Sequence, residues 1–285
     1  MAAELTVLSL GWGVQSWTIA AMVALGELSP VDFAIHADTT WERQATYEFA
    51  AQWTPWLEAR GVQVVTVSDS QPMSDLASFK TDIPAYTLNM TAIAGDAHPP
   101  FFTGNGSNIK GRLRRQCTGD WKLNPMRRRI SEELQDRGLN KTPGIVEQWI
   151  GITVDEIQRA KDSDVRYITH RFPLLELGMT RGDCLRWLEA HDLPAPVKSS
   201  CTFCPFHNAA VWQEMKRENG PDWQQAVEVD VRIRNERPPY PLFVHRSCIA
   251  LEDAVTIPED FGYSQLDLLA SDDADAECDS GACFL

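Results

Sequence analysis

Apolar residues in this chain fall into short runs separated by longer stretches of helical spacing. Leu5 to Leu10 is a mostly apolar run ended by Gly11, which predicts a strand buried on both faces. Trp17 to Leu25 carries apolar residues at helical density, with Gly26 as a stop. Val31 to His36 and Val62 to Val67 read as the second and third strands. Between them Gln44 to Arg60 has a helix pattern, with Tyr47, Phe49, Trp53, Trp56 and Leu57 as core residues. Further along, Pro125 to Gly138 reads as a helix, Ile145 to Ile150 as a strand closed by Gly151, and Thr180 to His191 and Pro205 to Lys216 as helices. Strands alternating with helices predict a parallel, doubly wound α/β sheet, with ligands at the C-terminal strand ends.

The boundaries expected from this pattern are a nucleotide-binding α/β domain over 1–175, a helical cysteine-bearing region over 176–255, and a tail over 256–285. The stretch from Met73 to Asn108 is less regular, with Pro84, Pro99-Pro100 and a Gly/Asn-rich run, and reads as a long functional or mobile loop. The tail is polar, acidic and expected to be flexible.

The first crossover is where chemistry is expected. Gly11-Trp12-Gly13-Val14-Gln15-Ser16 links a strand to a helix, a geometry that points backbone N–H groups and a helix N-terminus at an anion. A phosphate-bearing ligand fits such a turn; a tight βα turn without a ligand is the other reading. No Gly-Lys-Ser/Thr follows, so it is not a Walker loop, and Ser16 breaks a G-x-G-x-x-G pattern.

Composition changes this picture in two places. The chain has 285 residues and a net charge of −14. From Glu252 to Leu285 there are ten Asp or Glu and no Lys or Arg, leaving −4 for the rest. Between Lys110 and Arg129 the sign reverses, with Arg112, Arg114, Arg115, Lys122 and Arg127 to Arg129 against Asp120 alone. Whole-chain acidity therefore does not exclude an anionic substrate. No apolar run is long enough for a membrane span, and no basic region precedes the first strand, so a cytoplasmic protein is expected.

Seven cysteines in a reducing compartment point to metal or redox chemistry more than to structural disulfides. Cys201-Thr202-Phe203-Cys204 is a Cys-x-x-Cys whose spacing suits one zinc, one iron–sulfur cluster or a redox disulfide. Cys117 lies in the basic segment, and Cys184, Cys248 and His207 are candidates for a fourth ligand. Three thiolates with one open position suit a [4Fe–4S] cluster; Zn²⁺ is the alternative. Cys184 by itself reads better as a buried helix residue than as a ligand, since free Cys packs as a small hydrophobe.

Taken in order, these segments resemble a known superfamily. The first turn is similar to the PP-loop of ATP pyrophosphatases, keeping Gly13 and Ser16 and departing at Gly11, Trp12 and Gln15. Gln15 is shared with a branch that resembles phosphoadenosine-phosphosulfate (PAPS) reductases. Asp38-Thr39 with Glu42 and Thr46, Arg115-Gln116-Cys117-Thr118 with Lys122 and Pro125, Ile150-Gly151-Ile152 with Arg159, and Phe172-Pro173-Leu174 resemble successive PAPS-reductase segments. Lys198 to Cys201 with Cys204 to His207 and Trp212 resembles the cysteine module of a branch related to DNA phosphorothioation proteins.

The resemblance implies an adenine nucleotide α-hydrolase-like fold. It also implies ATP or an adenylated substrate over Gly11, Gly13, Gln15 and Ser16, with Asp38 and Thr39 at the ribose or Mg²⁺ and Gly151 and Arg159 completing the site. Arg115 and Lys122 would neutralise charge near Cys117. Glu277-Cys278 resembles at a distance the Glu-Cys-Gly terminus of the reductases, whose cysteine is a mobile nucleophile, and Cys283 is a second tail thiol. The function so implied is ATP-dependent, adenylating sulfur transfer to a nucleic-acid or nucleotide substrate, fed by a sulfur donor such as a cysteine desulfurase, with a homodimer as an allowed assembly. The alternatives are a PAPS or adenylyl-sulfate reductase using a tail cysteine, and a non-catalytic nucleotide-binding subunit of a modification or defence complex.

Overall fold

The computed structural model describes residues 3–68, 99–104, 110–235 and 241–256. Five strands form one sheet, all parallel: β1 (Leu5–Ser9), β2 (Phe33–Asp38), β3 (Val64–Ser68), β6 (Val146–Trp149) and β7 (Ile168–Arg171), in the order β3-β2-β1-β6-β7. The alternating apolar pattern explains why the central strands are buried. In β1, Leu5 and Val7 face one layer while Leu8 and, just beyond it, Leu10 face the other, so both faces must be covered.

Helices cover them. α1 (Val14–Ala24), α2 (Gln44–Glu58) and α5 (Arg181–Ala190) share a core with Leu8, Leu10, Ala34 and Trp149. On the opposite face Met126, Ile130 and Leu134 of α3 (Asn124–Asp136) pack on Leu5, Val7, Phe33 and Ile35. The sheet is therefore doubly wound, as the sequence pattern predicts.

A smaller antiparallel sheet has the order β5-β4-β8, from β4 (Phe102–Gly104), β5 (Lys110–Arg112) and β8 (Leu242–Phe243). Its core is shared by α6 (Ala209–Glu218), α7 (Pro221–Asn235) and α8 (Leu251–Ala254) with Trp41, Phe101, Trp121 and Phe203. Short α4 (Pro173–Glu176) follows β7. Asp230 ties this second core together. It is 1% exposed, accepts from the N–H groups of Val244 (3.0 Å) and Leu251 (2.9 Å), and pairs with Arg234 at 3.0 Å.

A short ladder fastens the cysteine loop to the end of β2. Glu42 and Cys201 form an antiparallel bridge, Thr202 N–H donates to Trp41 O at 2.8 Å, and Arg43 N–H donates to Ser200 O at 3.1 Å. Among the described residues no helix is long and apolar enough to cross a membrane. The irregular stretch from Met73 lies outside the described residues apart from 99–104, and so does the tail.

Candidate functional site

Chain order fixes where a ligand can sit. The chain runs from β1 outward through β2 and β3, then returns to the other side of β1 with β6 and β7. The strand order reverses between β1 and β6, and crossovers diverging there leave a crevice outside the C-terminal strand ends. The Gly11–Ser16 loop follows β1, and Gly151 follows β6, so both border this crevice.

Trp12 is the residue that looks wrong for a phosphate loop, and the structure explains it. Its backbone is left-handed, with φ +56°, and its ring is 1% exposed among Trp17 (6.2 Å between centroids), Phe49 (6.2 Å) and His36 (6.5 Å). The bulky side chain belongs to the core. The strain of a non-glycine in this region, about 1–2 kcal/mol, is offset by that aromatic burial.

Gly13 caps α1 without a side-chain cap, and the first turn has no acidic residue. Ser16 Oγ donates to Gly13 O at 3.2 Å. Gly151 is needed for space: a Cβ there would lie 2.8 Å from Ser16 N and 3.1 Å from Gln15 C. The end of β6 is thus pressed against the first turn of α1. Around it, Gln15 Nε2 donates to Glu156 Oε2 at 3.4 Å, Arg181 Nη1 donates to Gln15 Oε1 at 3.4 Å, and Arg159 pairs with Glu156.

At the end of β2, Asp38 Oδ1 accepts from Tyr47 Oη (2.8 Å) and from the N–H of Thr40 (2.7 Å), which sits at φ +65°. Burial, with Asp38 beside it, pushes the Tyr47 hydroxyl well up, so it remains a donor. Thr39 Oγ1 lies 3.2 Å from Cys201 Sγ and 3.4 Å from Glu42 Oε1. Glu42, with no side-chain exposure, pairs with Lys122 Nζ at 3.3 Å and accepts from Ser199 Oγ at 3.3 Å. Burial opposes charge on Lys122, but Glu42 and the sulfur atoms of Cys201 and Cys117 leave its pKa raised. Lys122 is therefore a half-buried ammonium beside the thiols.

The three cysteines expected to act together are neighbours. Cys204 is within electrostatic reach of Cys117 and Arg115, and Cys201 of Cys204 and Lys122. Burial pushes both the Cys201 and the Cys204 thiols up. Arg112 and Arg115 lie over the Phe206 ring, 5.1 and 5.3 Å from its centroid.

Two expected ligands do not join the trio. Cys184 is fully buried on α5 against α1, in a different core cluster from Cys117 and Cys201; burial raises its pKa to about 12, opposed by a hydrogen bond from Thr18. His207 is neutral, its pKa lowered to about 3 by burial, and Nε2 lies 2.9 Å from Cys201 O, pinning the cysteine turn. Cys248 forms a tight turn at φ +56° after β8. Cys278 and Cys283 lie outside the described residues.

Among the described residues no three His, Cys, Asp or Glu side chains are spaced to hold a metal ion. Cys117, Cys201 and Cys204 are close neighbours without metal-ligating spacing. The residue-type pattern gave no hint of the Glu42–Lys122 pair or of Arg181 at Gln15, because those partners are 80 and 166 residues apart in sequence.

No family model matches this chain, and no curated protein matches it. Among solved structures, phosphoadenylyl-sulfate (PAPS) reductase from Candida auris, in a phosphate complex, is similar with a TM-score of 0.41 and 12% identity, over 68% of this chain and 75% of its own. The fold assignment rests on the strand order and the two covered sheet faces, not on that distant likeness.

Proposed function

We propose that this chain is an enzyme that binds an adenine nucleotide in the crevice between β1 and β6 and performs sulfur chemistry at the thiols beside it. The observation that supports the reading is one juxtaposition. An uncapped helix N-terminus pressed against Gly151 stands one strand away from a half-buried ammonium, Lys122, beside Cys117, Cys201 and Cys204.

The reductive form suits the cations near the thiols. A thiolate attacks the sulfur of a sulfonucleotide, an S–S bond forms, the S–O bond to phosphate breaks, and the nucleotide leaves with that oxygen. Lys122 and Arg115 would hold the sulfonyl oxygens. The candidates for the attacking thiol in this form are Cys117, Cys278 and Cys283.

The adenylating form suits the phosphate-facing loop. ATP transfers AMP to a substrate oxygen and pyrophosphate leaves; a sulfur nucleophile then displaces AMP. Asp38 would hold Mg²⁺ or a ribose hydroxyl. Among the described residues the thiols are not spaced to hold a [4Fe–4S] cluster or Zn²⁺.

Supplying adenylyl sulfate or PAPS with a thiol reductant, and separately ATP with an RNA or DNA acceptor, distinguishes the two forms. Sulfite release supports the first, pyrophosphate release the second. If neither appears and no nucleotide binds, the reading fails.

A further inference from the structure

The crevice carries a second cation whose position the sequence gives no reason to notice. Arg181 is the first residue of α5, fixed there from three directions. Its N–H donates to Asp155 Oδ2 at 2.6 Å. The Thr180–Asp183 capping box sets the helix start, with Arg186 also on Asp183. The guanidinium Nη1 donates to Gln15 Oε1, 3.4 Å away, in the first turn of α1.

Gln15 is the middle of a relay across the mouth of the crevice. Its oxygen accepts from Arg181, its nitrogen donates to Glu156, and the other oxygen of Glu156 takes Arg159. Three elements therefore bring two guanidiniums and one carboxylate to the uncapped start of α1. Within the relay the charge is positive by one. Thr153 caps the turn that carries Glu156; its hydroxyl is fully buried and has no hydrogen-bond partner.

We infer that Arg181 and Arg159 form a two-sided clamp for the terminal phosphates of the nucleotide, with Glu156 as the resting counter-ion that phosphate displaces. The inference rests on the nucleotide reading above. A guanidinium on each side of a phosphate offers paired N–H donors to its oxygens. Glu156 sits where an anion is favoured, between Arg159 and the N-terminus of a helix, which is the place a phosphate oxygen would take.

Calorimetric titration of the full chain with ATP, AMP and inorganic pyrophosphate tests this. Arg181→Ala is expected to weaken ATP and pyrophosphate by roughly ten- to hundredfold while AMP changes little. Arg181→Lys is expected to fall between, since it keeps charge without the fork. Glu156→Gln is expected to tighten ATP by about two- to fivefold. If wild-type protein binds ATP and Arg181→Ala leaves the ATP-to-AMP ratio unchanged, or if Glu156→Gln weakens ATP, the clamp is overturned and the nucleotide reading stands. If wild-type protein binds none of the three, both are overturned.

Discussion

At the scale of single residues, the site is governed by two close fits. Gly151 has no room for a methyl group, because Ser16 N would lie 2.8 Å from it. Gly151→Ala is therefore expected to push β6 from the α1 turn, costing about 1–3 kcal/mol and abolishing nucleotide binding. Thermal melting with and without ATP checks both effects; unchanged ATP stabilisation would sink the fit. The second is the pair of buried Glu42 with Lys122, 3.3 Å apart. Lys122→Met strands a carboxylate that, among the described residues, is otherwise held by Thr39 and Ser199, and is expected to cost about 3–5 kcal/mol. Adding Glu42→Gln should restore much of that loss. A double-mutant cycle by urea denaturation would show the coupling, and additive losses would refute it.

At the scale of elements, the cysteine turn depends on a histidine that stays neutral. His207 is held near 3 and hydrogen-bonds Cys201 O, while burial also lowers His36, whose Nδ1 lies 3.0 Å from Leu10 O. A histidine depressed on folding binds its proton more readily when unfolded. Its contribution is complete above the ordinary value of 6.5 and declines as pH falls toward about 3. The turn is thus expected to loosen across that window. Labelling of Cys201 and Cys204 with 4,4′-dithiodipyridine, which reacts in acid, should accelerate below pH 6.5 in wild type. His207→Gln should flatten that acceleration. An equally steep pH profile in the variant would disprove the role.

The elements also show where pattern reading succeeds. Strands β1, β2, β3 and β6 and helices α1, α2, α3 and α5 lie where the apolar periodicity puts them, within a few residues at each end. The 15-residue helix α7 was not read, because Asp230 interrupts its apolar face. That carboxylate is buried only because β8 and α8 bring it the N–H groups of Val244 and Leu251. The small sheet was missed for a similar reason: β4 and β8 are three and two residues long, too short to carry a period.

At the scale of the whole molecule, the cysteine loop is fastened to the end of β2, and two measurements address the chemistry there. Cys278→Ser with Cys283→Ser is expected to abolish reductive turnover and leave nucleotide affinity unchanged if a tail thiol attacks. Full retention of sulfite release would assign the attack to Cys117. Iron, zinc and acid-labile sulfide analysis of anaerobically purified protein, compared with Cys117→Ser, should show any bound metal falling in the variant. Metal content unaffected by Cys117→Ser would remove that cysteine from the ligand set.

What the sequence determined by itself was local and periodic. Short apolar runs between helical stretches specified a parallel sheet covered on both faces, and a glycine turn between strand and helix marked the crossover proposed to receive an anion. Tertiary structure decided which distant groups share that place: Lys122 with Glu42 and Arg181 with Gln15, with Cys184 in another core and His207 on the carbonyl of Cys201. The physical reason is burial. Whether a charge or a thiol is paired, protonated or merely packed depends on neighbours that chain folding supplies from far along the sequence, and no local pattern records them.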